Sequence, residues 1–180
     1  VEKIKFSQLK NWDFQTKSGN LRYQSGNFFK IIGADIITNW GEIKRWSQPI
    51  ILQDEIGILG ILLKYINDIP HFLLQAKFEP GNINGAQLSP TIQATKSNYS
   101  KVHGGSDVKY LSFFKDFSKK RVVIDQLQSE QGSRFLKKRN RNIIIEIKKD
   151  IELDENFLWV SIFQIMELLK NNNIINMNTR

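Results

Sequence analysis

The chain has no cysteine, which excludes a disulfide scaffold, thiolate chemistry and Cys-ligated metals and suits a cytoplasmic protein. It has only two histidines, His71 and His103, too few of the usual ligands for a zinc site when Cys is absent. Asp and Glu are dispersed along the sequence rather than gathered, so no carboxylate cluster for a hard cation is expected. GxGxxG after a strand, GxxxxGK(S/T), HExxH and GxSxG are all missing. Dinucleotide, P-loop, zincin and nucleophile-elbow chemistry therefore have no support. If the chain is an enzyme, proton transfer and polarisation are what remain, with no metal and no cofactor called for. No run of 18 apolar residues occurs, and the opening VEKIKFSQLKNW lacks an apolar centre, so no membrane partner is expected. The first residue is Val1 rather than Met, which suggests a module of a longer polypeptide.

Against these absences stand 180 residues, 41% of them apolar, enough for one packed domain and marginal for two. The net charge of +8 is uneven: Lys115 to Lys149 holds 11 basic and 4 acidic residues, leaving the rest nearly balanced. Such a patch fits nucleic acid, a pyrophosphate-bearing small molecule, or a solvated basic face.

Ser7 to Lys17 reads as an N-terminal helix with a Ser cap and a stop at Gly19. Phe28 to Thr38 is strand-like, and Gly33 inside it hints at a bulge. Trp40 and Trp46 flank the polar link GEIKR, as core or interface anchors or as a flat face for a nucleobase. Residues 56–67 and 71–79 are apolar runs joined by Asp68-Ile69-Pro70 and predict a central β-hairpin. A loop NINGAQLS and a strand TIQATKS follow. Residues 110–117 suggest a helical turn, and Ile143 to Ile147 a strand. Asp154 is expected to cap a last amphipathic helix burying Leu158, Ile162, Ile165, Met166 and Leu169. The expectation is one α+β domain over residues 1–180, a mixed or antiparallel sheet flanked by helices, with 1–27 as helix and lead-in.

The polar stretch Gln75 to Gly105, set among apolar segments, reads either as a small-molecule site or as a long solvated loop. Strand alternation puts Gln75, Lys77 and Glu79 on one face, Thr91, Gln93, Thr95 and Ser97 on a second, and Gln126, Gln128 and Glu130 on a third. Faces so rich in amides and hydroxyls are expected to line a polar cavity.

Several blocks carry a resemblance: RWSQPII (45–51), EIGILGILL (55–63), QAKFEPGN (75–82), QLSPTIQATKSNY (87–99), VHGG (102–105), LQSEQGSRFLKKRNRN (127–142) and NMNTR (176–180). Together they are similar to the NDP-hexose 2,3-dehydratase family, almost without a break from Arg45 to Arg180. The resemblance implies a Nudix-like fold and elimination of water across C2 and C3 of a dTDP-4-keto-6-deoxyhexose. It also implies two tandem modules per enzyme and a dimer. The chain holds one copy and lacks the Nudix box of glutamates, so pyrophosphatase activity is not expected. The partner is then a dTDP-sugar, with a second chain or a second module of the same type, rather than nucleic acid.

For that reaction the C4 ketone acidifies the C3 hydrogen, so a base, an acid and enolate-stabilising donors are needed. Glu79 is the candidate base and Lys77 the cation on the C4 carbonyl, unless the two form a structural ion pair. Tyr99 or His103 would protonate the leaving hydroxyl, unless Tyr99 anchors a loop and His103 ends a strand. Glu130 is the rival base, or an orienter of Arg134. Gln75, Gln93, Thr95, Ser97 and Asn98 are candidates for the sugar, Arg134 and Arg139 for the diphosphate, Asn140 for ribose or base, and Trp46 for thymine. Lys137 and Lys138 are expected to be solvated. The alternative function is a non-catalytic dTDP-sugar-binding module.

Overall fold

Asn67 and Asp68 sit between two apolar runs, and both take the left-handed backbone, φ 50° and 61°. Two such residues in succession make the kind of turn whose twist matches a hairpin. The turn joins β5 (Gly57–Ile66) to β6 (Ile69–Phe78), paired antiparallel from Ile66↔Ile69 to Leu62↔Leu73. The expected hairpin is therefore present, with Ile69 and Pro70 inside the second strand. The computed structural model describes residues 1–95, 97, 108–115 and 121–179. The chain falls into two compact units, Val1–Glu55 with Ser129–Arg139, and Ile56–Gln128 with Asn140–Arg180.

The larger unit is built on the β5–β6 hairpin. Beyond Leu62↔Leu73 the two strands part. β7 (Ala86–Ser89) pairs with β6 and β8 (Ile92–Ala94) with β5, so Pro90 and Thr91 sit at the crotch of a fork. Thr91 is 2% exposed; its hydroxyl donates to the Leu73 carbonyl at 2.5 Å and accepts from the Leu62 N–H at 2.9 Å. It thus satisfies the two backbone groups the parting strands release, which a buried site requires. The segment NINGAQLS, expected as loop, ends in a strand because Gln75↔Ser89 and Phe78↔Ala86 complete a ladder.

β9 (Arg121–Ser129), β10 (Arg139–Glu146) and β11 (Phe157–Ser161) complete a sheet ordered β11-β6-β5-β10-β9. β10 runs parallel to β5 and the β5–β6 and β6–β11 pairs are antiparallel, so the sheet is mixed. The strands at its centre are near-continuous apolar runs, as strands covered on both faces must be. Leu62, Leu73, Ile143 and Ile145 pack with Ile92, Leu111, Phe114 and Phe157 in the core, each contributing about 1.5–3 kcal/mol by burial. Gly60 is required there: a methyl group on it would stand 2.5 Å from the Phe114 ring.

Asp154 does not cap a helix. Phe157 to Ser161 pair with Gln75 to His71 instead, and the helix α1 (Ile162–Leu168) starts one strand later. Ser161 caps it, its hydroxyl accepting the Gln164 N–H and the Gln164 side chain accepting the Ser161 N–H. The expected buried stripe fails with the register: Leu158, Met166 and Leu169 are exposed. The expected turn near 110–117 is a 3₁₀ turn, Leu111–Phe114.

The smaller unit is a four-stranded antiparallel meander, β1 (Trp12–Phe14), β2 (Leu21–Tyr23), β3 (Lys30–Ile37) and β4 (Arg45–Leu52). The helix expected from Ser7 to Lys17 is absent. Asn11 is left-handed at φ 63°, and Trp12 to Phe14 pair with Tyr23 to Leu21 across a turn through Gly19. Trp12 gathers Tyr23 at 5.6 Å and Phe29 at 5.0 Å, an aromatic cluster a single helix would not assemble. Gly33 causes no bulge, since the register runs unbroken from Lys30↔Leu52 to Ile37↔Arg45. Within the same unit the segment 129–139 adds to β4 through an Ile51↔Phe135 bridge. The architecture is α+β with mixed and antiparallel sheets, dominated by strand.

Candidate functional site

The fork of the larger unit decides where the polar faces go. Gln75, Lys77 and Glu79 share the face of β6 opposite to the exposed Ala76 and Phe78, and all three are half-buried. Across the ladder Gln87 stands opposite Lys77, and Ser89 opposite Gln75. Lys77 Nζ lies 3.1 Å from Glu79 Oε1, with both side chains under a third exposed, and donates to Gln93 Oε1 of β8 at 3.5 Å. Asn176 Nδ2, brought in by the C-terminal segment, donates to Glu79 Oε2 and Gln87 Oε1, both at 3.2 Å. The alternation read from the sequence thus brings Lys77, Glu79 and Gln93 together. Gln87 and Asn176 were missed. Gln87 was hidden in a stretch read as loop, and Asn176 lies nearly a hundred residues away in sequence, in NMNTR.

The rest of the expected face divides. Thr91 serves the backbone of the fork rather than a ligand. The Thr95 and Ser97 hydroxyls bond one another at 3.0 Å, and Ser97 is 7% exposed. Asn98, Tyr99 and His103 lie outside the described residues. Asn140 is buried, its Oδ1 only 2.8 Å from where a methyl group on Gly57 would stand, so that glycine makes room for the amide. The third polar face is a correction: all nine residues of β9, Gln126 and Gln128 included, are exposed, because β9 is the edge strand with β10 as its neighbour in the sheet. It lines no cavity. Next to Gln126 in sequence, Asp125 accepts from Arg141 Nε at 2.6 Å and Nη2 at 2.5 Å. That hydrogen-bonded contact, ahead of the charge itself, holds the carboxyl below its usual range and the guanidinium above.

Trp46, Glu130, Arg134 and Arg139 belong to the smaller unit. Trp46 Nε1 donates to Gln48 Oε1 at 2.9 Å, and Gln48 Nε2 to the Ser133 carbonyl at 2.8 Å. With Thr38, Trp40, Gly41, Glu42 and Ile43, Trp46 lines an open cleft at the β3–β4 hairpin tip. Arg134 and Arg139 are exposed. Glu130 accepts the Gln131 N–H at 3.2 Å. Lys138, expected to be solvated, is 6% exposed, and its ammonium donates to the Glu55 carbonyl. Burial lowers its proton affinity, partly offset by the charges of Glu55, Glu130 and Asp54. Lys138 is therefore a structural charge.

Chemically, the fork offers a carboxylate, an ammonium and three amides on a half-dry face. A carboxylate has four lone-pair positions, and Lys77 and Asn176 engage one on each oxygen, leaving others to accept a proton. An ammonium has three donors, and Lys77 directs one to Glu79 and one to Gln93, which leaves one to polarise a substrate carbonyl placed beside it. Among the described residues no three Asp, Glu or His side chains stand close enough to hold a metal ion, and no helix is long and apolar enough to cross a membrane.

A sequence profile of the NDP-hexose 2,3-dehydratases matches residues 1–180. A dTDP-4-dehydro-6-deoxy-alpha-D-glucopyranose 2,3-dehydratase of Amycolatopsis orientalis is 48% identical over 185 residues, covering 100% of this chain and 39% of its own length. Proteins of the same name from Saccharopolyspora spinosa and Streptomyces violaceoruber are each 46% identical, covering all of this chain and 37% and 41% of their own lengths. The chain thus spans about two-fifths of the length of the curated relatives it matches.

Proposed function

The chain belongs to the NDP-hexose 2,3-dehydratase family, and we propose that it is a catalytic module that eliminates water from a dTDP-4-keto-6-deoxyhexose. The observation that carries this reading is the half-buried Lys77–Glu79 pair at 3.1 Å, facing Gln93 and Asn176 in the fork. Glu79 removes the C3 hydrogen, and the electron pair moves into the C4 carbonyl, whose developing negative charge Lys77 stabilises. As the enolate collapses the C2–O bond breaks, and the hydroxyl leaves as water with a proton from Tyr99 or His103. The resulting C3 enol tautomerises to the ketone, which leaves C2 as a methylene.

Recognition is assigned on chemistry. Gln75, Gln93, Thr95, Ser97 and Asn98 supply hydroxyl-reading groups for the sugar. Exposed Arg134 and Arg139 suit a diphosphate, Asn140 a ribose hydroxyl or the base, and Trp46 a stacked thymine. Glu130 remains the rival base. A Nudix-like arrangement is supported by the mixed sheet with β5 and β10 parallel at its centre. The relatives' extra length leaves room for a second module of this size, and pairing with such a module or a second copy is part of the reading. So is a cytoplasmic location, given substrates of this class.

The test is incubation with the 4-keto sugar nucleotide in deuterated water. Wild type should form the 3,4-diketo product and exchange the C3 hydrogen. Glu79→Gln should lose exchange by about 10²–10⁴-fold and keep its nucleotide affinity. Wild-type exchange in that variant would remove Glu79 from the base role. A second reading, a non-catalytic dTDP-sugar-binding module, draws on the ion pair that already occupies Glu79. Tight nucleotide binding with no exchange in wild type would select it.

A further inference from the structure

We propose that Asn176 is a positioning residue for Glu79, its side-chain amide holding one carboxylate oxygen so that the carboxylate plane is fixed against the substrate. This rests on the reading of Glu79 as base, and it concerns a residue far from it in sequence.

The amide has no freedom in which way it points. Asn176 Oδ1 accepts the Asn178 backbone N–H at 3.0 Å, so Nδ2 must face the other way. At the far end, Asn84 Nδ2 donates to the Asn173 carbonyl at 2.8 Å, which turns Asn84 Oδ1 toward Gln87. Gln87 Nε2 donates to that oxygen at 3.3 Å, which in turn leaves Gln87 Oε1 facing Asn176. The relay of three amides is thus anchored at both ends by backbone groups. Asn176 Nδ2 has two hydrogens; one satisfies Gln87 Oε1 and the other Glu79 Oε2, both at 3.2 Å. A donor fixed in this way restrains the carboxylate torsion that Lys77, on a long flexible stem at 3.1 Å from Oε1, restrains less well.

The segment carrying Asn176 is itself pinned. Leu88 N–H donates to the Ile174 carbonyl and Asn176 N–H to the Leu88 carbonyl, each at 2.9 Å, forming a parallel bridge between Leu88 and Ile175. Thr179 Oγ1 adds a third bond, to the Leu88 carbonyl at 3.0 Å. Ile175 is 2% and Asn176 6% exposed. The chain thus commits a buried, backbone-anchored asparagine to hold a half-buried carboxylate. Among the described residues the groups facing Glu79 are Lys77 from the strand just before it, with Asn176 from the C-terminal segment and the uncharged Gln87 and Gln93 beside them on β7 and β8.

Asn176→Asp is the informative variant. It keeps an acceptor for the Asn178 N–H and turns the donor toward Glu79 into an anion. Near neutral pH the rate of C3 exchange at saturating substrate should fall about 100-fold, with KM changed less than about threefold. A like charge favours the protonated form of Glu79, so the acidic limb of the rate profile should move to higher pH. Asn176→Ala removes the donor without adding charge and serves if the aspartate variant does not fold. It should lose about tenfold in rate with KM held and its limb in place. Unchanged exchange in both variants, or a rate loss in Asn176→Asp with the acidic limb unmoved, overturns the proposal. If Glu79→Gln abolishes exchange while Asn176→Asp behaves as wild type, only the positioning role falls. Exchange surviving in Glu79→Gln brings down the base assignment itself.

Discussion

The fork strands and β9 were written in the same alphabet and ended in opposite surroundings. Gln75 and Lys77 on β6, Glu79 just past its end and Gln93 on β8 alternate with apolar residues, and Gln126 and Gln128 on β9 flank Leu127 in the same way. At the fork those side chains are half-buried, and Lys77 ties Glu79 to Gln93. On β9 every residue is exposed, including Val122, Val123, Ile124 and Leu127. Alternation fixes which residues share a side of a strand, and that part holds on all three. What covers the side is set by neighbours distant in sequence. β6 lies between β5 and β11, with β7 added beyond the fork and the C-terminal segment beyond β7, whereas β9 ends the sheet.

The largest effect that would break this contrast is at the crotch of the fork. Thr91→Val keeps the shape and removes the hydroxyl, leaving the Leu73 carbonyl and the Leu62 N–H unsatisfied in a buried site. The cost should be about 3 kcal/mol. It would be read as a lower urea midpoint with an unchanged slope. A midpoint equal to wild type would mean that the fork is not held by this hydroxyl and that its polar face owes its cover to something else.

How much of this was readable follows from the range of the forces involved. The β5–β6 hairpin was legible because its signal is local: two apolar runs about a turn. The pairing of Lys77, Glu79 and Gln93 was legible in part, since alternation named the face. Gln87 and Asn176 were not, because their roles depend on a β7 ladder and a bridge to Ile175 that no local pattern encodes. The helix expected at Ser7–Lys17 failed because cross-strand aromatic packing around Trp12 outweighs a weak local preference. Asp154 misled for a similar reason: Leu158 read as the start of a helix face, and β6 claims Phe157 to Ser161 as a strand. Lys138 counted as a solvated charge in a basic run, and burial is invisible in a charge count.

A smaller effect sharpens the β9 side. Asp125 and Arg141 cross-link β9 to β10 through two hydrogen bonds, but each side chain is more than a third exposed, so solvent screens the pair. Asp125→Asn should therefore cost only about 0.5 kcal/mol at neutral pH. The sign with pH follows from the lowered carboxyl. A folded proton affinity below the unfolded one gives stability that is complete above the ordinary carboxylate range and is lost as pH falls through the lowered folded range. Wild type and variant should converge in acid below that range, and added salt should narrow their difference at pH 7. A gap that persists in strong acid would show that the pair is not what separates them.

The smallest expected effect is the sharpest test of the comparison. Gln126 shares with Gln93 an amide on an alternating strand, but it is exposed on an edge strand. An exposed side chain of this kind gives up little water on folding, so truncating it changes stability by less than about 0.5 kcal/mol. Gln126→Ala should accordingly leave the urea midpoint, the nucleotide affinity and C3 exchange where they are in wild type. The measurement is isothermal titration with dTDP beside the exchange assay, on the same preparation. A loss of affinity or rate would mean that β9 acquires a cover in the working protein. The apolar Val122 and Ile124, exposed on the same face of that strand as Gln126, would then mark what that cover rests on, and β9 would join the fork as a built face instead of an open edge.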